Sequence, residues 1–327
     1  MLRTTLRFDR LPVSDLPKLA VVALLLTGCL SVRSMAQQSG QKTFSSAEEA
    51  SNALFAATEN NDQKVMLEIL GPDEKQIVSS GDDTEDSNNR AIFVKKYEEM
   101  HRLFREPDGT VTLYIGAENW PTPIPLENKG NMWYFDTDAA KKEILFRRIG
   151  RNEMSTIVVC RQLAAAQKEY YASHNEEYAQ KIFSDEGQHD GLYWKAADGE
   201  PKSPIGPLVA SAVAEGYPKD QGGPPTPFRG YFYHVLTRQG KGAPGGAKNY
   251  IVNGKMTAGF AFVAYPAEYR SSGVMTFLVG ADGVVYQKDL GKKTEAHAKS
   301  WTEYNPDSSW QKVEEQGEDT AGDQPTE

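Results

Sequence analysis

The 327-residue chain is short of cysteine, histidine and long apolar runs, and each shortage excludes something. Of its two cysteines, Cys29 lies in the one apolar run, so Cys160 stands alone in the remainder and no intramolecular disulfide is expected there. The five histidines, His101, His174, His189, His234 and His297, are scattered without metal-ligand spacing. No His-Glu-x-x-His, no Gly-x-Ser-x-Gly elbow and no Ser-x-x-Lys in a β-lactamase context occurs. No metal, no cofactor and no catalytic residue is therefore expected. Lys and Arg total 36 against 45 Asp and Glu, a net charge of −9. That balance argues against nucleic acid and against electrostatic attachment to anionic lipid. Beyond residue 30 no apolar run approaches the roughly 20 residues that a membrane-spanning helix needs.

What is there begins with the N-terminus. Arg3, Arg7, Arg10 and Lys18 precede the apolar run Leu19 to Leu30, the charged-then-apolar order of an export signal. Two endings overlap. Leu26-Thr27-Gly28-Cys29 reads as a lipobox, with Cys29 acylated and N-terminal after processing. Ser34-Met35-Ala36 before Gln37 reads as a small-residue cleavage site, and the polar tether 37–42 that follows favours it slightly. Residues 1–36 are thus read as the signal. The mature protein is expected in the periplasm or outside the cell, with Cys29 as the one route to a lipid anchor.

Downstream, Ser45 with Glu48 or Ser46 with Glu49 offers a capping box before Ala50, Ala53, Leu54 and Ala57 at helical spacing. Asp62 opens a second helix that Gly71-Pro72 stops. A polar loop 81–89, with Asp82, Asp83, Glu85 and Asp86, leads to a third helix carrying Ile92, Phe93, Tyr97, Met100 and Phe104. The acidic loop lacks the alternating ligands and turn glycine of a calcium loop and reads as solvated. Val111 to Ile115 is a strand, and a hairpin crosses Asn128-Lys129-Gly130. Asp138 opens a helix ending near Gly150, and Asn152 caps a new one that runs to about Tyr171. Cys160 falls on the apolar stripe of that helix, so it reads as a buried, inert thiol. Strands resume at 231–237, 259–265, 274–279 and 284–288. Gly240-Lys241-Gly242-Ala243-Pro244-Gly245 satisfies Gly-x-Gly-x-x-Gly but leads into a strand, not a helix, so it reads as a connection.

Several runs are distinctive: Arg147-Arg148-Ile149-Gly150-Arg151-Asn152-Glu153, Asp190-Gly191-Leu192-Tyr193-Trp194, Ser203-Pro204-Ile205-Gly206-Pro207-Leu208 and Ala264-Tyr265-Pro266-Ala267-Glu268-Tyr269, the last continued by Ser272-Gly273-Val274-Met275-Thr276-Phe277. On these the chain resembles the DUF2950 family of exported bacterial proteins over roughly residues 43–310, a resemblance that brings no activity with it. Residues 43–136 also resemble the cystatin-like cone fold, on Gly130-Asn131-Met132-Trp133, and residues 152–290 the globular half of a pilin-like protein, on Gln167 to Tyr170 and Asp282-Gly283-Val284-Val285-Tyr286. The charged residues Lys141 to Arg151 replace a pilin's membrane segment, so pilin-type assembly is not implied.

These resemblances imply an α+β protein. Domain 43–150 would place helices on a curved antiparallel sheet. Domain 151–310 would pack a long helix on an antiparallel meander, and the acidic tail 311–327 would be disordered. Tyr114, Trp120, Ile124 and Trp133 would fall on or near the first sheet. There they either fill the core or line an apolar ligand pocket of the kind a cone fold holds. The expected role is a non-catalytic binding or scaffolding module of the envelope, its partner an envelope protein or a small apolar ligand. The alternative is a small-ligand carrier or enzyme using that pocket. Convergent Asp, His or Arg within the pocket would favour catalysis.

Overall fold

The computed structural model describes residues 38–197, 199–217 and 225–314. The export signal, its two endings and Cys29 lie outside the described residues. Four helices come first: α1 (Ala47–Glu59), α2 (Gln63–Leu70), α3 (Lys75–Val78) and α4 (Asp83–Glu99). Ser46 caps α1 by accepting the Glu49 amide at 3.0 Å, while the Glu49 carboxylate turns back to the Ser45 amide and hydroxyl. The acidic run read as a loop is instead the first turn of α4. Asp82 caps it through the Glu85 amide at 3.1 Å, and Asp83, Glu85 and Asp86 sit where the helix dipole favours negative charge.

The first sheet follows, with β1 (His101–Arg105), β2 (Val111–Ile115), β3 (Trp120–Pro121), β4 (Leu126–Lys129) and β5 (Met132–Phe135). Its order is β1-β2-β4-β5, all antiparallel, with β3 also on β2. Phe104, expected on the third helix, lies in β1, because α4 ends five residues earlier. The β4–β5 hairpin turns through Gly130 and Asn131, both at positive φ (61° and 68°), as a tight two-residue hairpin turn requires. Burial alternates along β2: Val111, Leu113 and Ile115 point inward against the helices.

Helix α5 (Thr137–Ser173) is one unbroken element of 37 residues, about 55 Å at 1.5 Å per residue. The expected stop near Gly150 and new start at Asn152 do not occur. No proline interrupts the stretch, and one interior glycine costs only about 1 kcal/mol. The cap is Asp136, accepting the Ala139 amide at 3.2 Å, rather than Asp138. Asn152 is mid-helix and buried, its side-chain amide donating to the Ser272 carbonyl at 3.1 Å.

The C-terminal part opens with a parallel pair, β6 (Lys181–Phe183) and β7 (Gly191–Tyr193), then α6 (Gly206–Ala214). β8 (Tyr231–Leu236), β9 (Arg238–Gln239), β10 (Lys248–Asn249), β11 (Ile251–Val252), β12 (Lys255–Met256), β13 (Ala261–Pro266), β14 (Met275–Gly280) and β15 (Val285–Asp289) come next. α7 (Thr294–Ala298), β16 (Glu303–Tyr304) and β17 (Gln311–Lys312) complete the described chain. The main sheet runs β17-β15-β14-β13-β8, every pair antiparallel. β13 is buried along its whole length, and α5 packs on β13 and β14 through a face that includes Cys160, Leu163 and Ala164. Residues 311–313, expected in a disordered tail, add to this sheet. Gln311 and Lys312 pair with β15, and the Val313 amide donates to Val285 O at 2.9 Å. The architecture is α+β, with both five-stranded sheets antiparallel and helices packed against them.

Candidate functional site

The first sheet and its helices line an open cavity of about 370 Å³. Its apolar surface comes from Leu54 on α1, Met66 and Leu70 on α2, Phe93 on α4, and Leu113 and Ile115 on β2. Trp120 and Ile124 line it as well. Trp120 is half exposed, with the Lys96 ammonium 5.4 Å from its ring centroid. The other two residues singled out from the sequence are elsewhere. Tyr114 points to the opposite face of β2 from Leu113 and Ile115, with the Arg102 guanidinium 4.4 Å from its ring centroid. Trp133 packs against the N-terminal core but outside the cavity lining. Its backbone is bridged to Phe44 and Arg105 lies 5.8 Å from its ring centroid.

The lining also carries charge, which the apolar pattern did not reveal. Four cations and one acid take part: Arg90, Lys96, Arg147, Arg148 and Asp86. Most are already engaged. Lys96 pairs with Glu118 at 2.8 Å, and Arg147 with Glu143 at 2.5 Å. Arg148 donates to Gln76 O at 2.6 Å and Ile77 O at 3.1 Å, covering carbonyls of α3. Burial pushes its guanidinium below the usual value, an effect the charges of Asp86 and Glu85 oppose. The buried Asp86 carboxylate accepts the Ser80 amide at 2.8 Å. Arg90 differs. It makes one long bond, from Nη1 to Val78 O at 3.4 Å, and its Nε is buried without a partner. A second buried atom without a partner, the Thr122 hydroxyl, lines the same cavity. No histidine or cysteine is among the lining residues, and the lining is mainly apolar with a few polar groups.

A larger cavity, about 450 Å³, lies in the C-terminal part between α5, α6 and β8. Three of its polar members are bonded within the protein. His234 Nε2 is 2.9 Å from Trp301 O, Tyr233 donates to Thr156 at 3.2 Å, and Tyr217 donates to Asp82 at 2.8 Å.

Two of the distinctive sequence runs meet beside α4 and explain each other. Arg151 pairs with Glu85 at 2.6 Å. Asn152 reaches Ser272 O, and Glu153 accepts the amides of Val274 and Met275, both at 2.9 Å. Gly273 is packed so closely that a Cβ there would lie 2.0 Å from the Tyr231 hydroxyl. At the same junction the buried Asp82 accepts from the Tyr217 hydroxyl (2.8 Å), the Gly230 amide (2.9 Å) and the Glu85 amide. Burial raises its pKa, and those bonds oppose the rise. Arg229 and Glu215 form a fork at 2.5 and 3.2 Å. These groups pair among themselves, which makes the junction a staple between chain segments. Sequence reasoning read Asp82 as solvated because its partners lie 135 and 148 residues away.

Fold and site together define an α+β protein with an open, ligand-sized pocket. The model of the family described as a protein of unknown function (DUF2950) matches residues 41–313, and the chain belongs to that family. No curated protein and no solved structure matches the chain. Among the described residues no helix is long and apolar enough to cross a membrane, and no group of His, Cys, Asp or Glu is placed to hold a metal ion.

Proposed function

We propose that this is an exported binding protein that holds a small, mainly apolar ligand in the N-terminal cavity. The carrying observation is the cavity itself, about 370 Å³ and walled by apolar side chains from four helices and a sheet, with two buried polar atoms left without partners. Pockets of this size suit small molecules, and a buried donor without an acceptor costs roughly 1–3 kcal/mol, which a ligand oxygen would recover. The export reading rests on Arg3 to Leu30, and the envelope is the proposed location, with any lipid anchor at Cys29. The proposed organisation is a ligand-binding domain over 43–150 and a second domain over 151–310, with α5 shared across the boundary.

The test is native mass spectrometry of the protein recovered from the envelope fraction. A non-covalent adduct is expected, lost in Ile124→Trp, which would fill the cavity. A bare chain that also takes up no apolar dye would overturn the reading. The same spectra give the mature N-terminus, acylated Cys29 or Gln37.

A further inference from the structure

We propose that the N-terminal cavity takes an aliphatic carboxylate, its head group held by Arg90 and its chain by the apolar wall; this rests on the cavity being a ligand site. Four observations converge. First, two residues lining the cavity carry buried polar atoms without partners, Arg90 Nε and Thr122 Oγ1; the guanidinium can only donate and the hydroxyl is able to donate, so an acceptor would serve both. Second, Arg90 is the cavity's one cation with neither an ion pair nor short backbone acceptors; Lys96, Arg147 and Arg148 are committed to Glu118, Glu143 and the α3 carbonyls. Third, its single long bond uses Nη1 and leaves the Nε side of the guanidinium without a protein acceptor, the edge that matches the two oxygens of a carboxylate. Fourth, the only acid in the lining, Asp86, already accepts the Ser80 amide, and cations outnumber it four to one.

Size narrows the ligand further. At about 30 Å³ per water-sized group, a 370 Å³ cavity holds roughly a dozen heavy atoms. That fits a carboxylate of about ten carbons. Longer chains would have to extend beyond the lining into solvent, where Trp120 is already half exposed.

The experiment compares decanoate with decanol, equal in chain and different in head group, by calorimetric titration of the delipidated mature protein at pH 7. Decanoate is expected to bind at least ten-fold more tightly, equivalent to about 1.4 kcal/mol. Arg90→Gln is expected to bring the ratio close to one while decanol affinity stays within two-fold. Equal binding of acid and alcohol to the unaltered protein overturns the carboxylate assignment and leaves the cavity reading standing, and so does a preference unchanged in Arg90→Gln. Binding of neither overturns the cavity reading as well. Should Arg90→Gln fail to fold, the acid-to-alcohol ratio of the unaltered protein decides alone.

Discussion

Asp82 to Ala is the substitution that most directly probes how the chain is held together. The carboxylate is buried and serves three donors: the Glu85 amide at 3.1 Å, as N-cap of α4, the Tyr217 hydroxyl at 2.8 Å and the Gly230 amide at 2.9 Å. Losing an N-cap costs about 1 kcal/mol. A hydrogen bond to a charged acceptor contributes about 1.5–3 kcal/mol. The desolvation that raises the pKa of Asp82 offsets part of this, which leaves a net loss of about 3 kcal/mol. For a protein of this size that lowers Tm by about 6–10 °C. Urea denaturation followed by far-UV circular dichroism would measure it, with Tyr217→Phe and the double variant closing a cycle. The hydroxyl removed from Tyr217 should cost about 1 kcal/mol alone and much less once Asp82 is gone. The pH dependence has a fixed sign. Because the folded-state pKa lies above the ordinary 3.8, the folded state holds this proton more tightly than the unfolded chain. The stability that Asp82 contributes is therefore full below 3.8 and declines as pH rises through the folded value, so the gap to Asp82→Ala narrows upward. A loss under 0.5 kcal/mol, or a gap that widens with pH in this window, would refute the reasoning.

Gly273→Ala should cost about 3 kcal/mol, because its Cβ would meet a fully buried Tyr231 whose hydroxyl is tied to Met275 O at 3.0 Å. Gly283→Ala, at φ 77° in open space, should cost only about 1–2 kcal/mol, and chemical denaturation of the pair checks the order. Burial pushes the Cys160 thiol up to about 12, so it should resist iodoacetamide in the native protein and react only in denaturant, as peptide mass mapping would show. Burial lowers the His234 pKa below the ordinary 6.5, opposed by its bond to Trp301 O. Its contribution to stability is present above 6.5 and lost as pH falls through the folded value. His234→Gln should flatten the stability profile there, which melting curves from pH 7 to 5 would reveal.

Elements with strong local signals were legible in the sequence. The β4–β5 hairpin declares itself through Gly130 beside alternating apolar residues, and Asp62 and Gly71 bracket α2 as expected. The long helix was not legible as one element, because Gly150 and Asn152 are local stop and start signals that tertiary bonds to Ser272 override. The same limit governs the cavity. Trp120 and Ile124 could be named from their place on the first sheet, but Tyr114 and Trp133 were named with them and lie outside the lining, Tyr114 because the period of two along β2 turns it away from Leu113. Nothing local distinguishes Arg90 from any cation on a helix or Thr122 from any loop threonine. Their missing partners are visible only in the folded chain, where both residues line one pocket.

The unbroken α5 has one more consequence. Arg147 and Arg148, in its first half, form part of the N-terminal cavity, while Val159, Cys160 and Leu163, in its second half, belong to the C-terminal core. A cut within the helix would leave each product with a frayed end and an uncovered apolar stripe. The two halves are therefore not interchangeable cassettes: a chimera that grafts either one elsewhere must carry the whole of 137–173 with it.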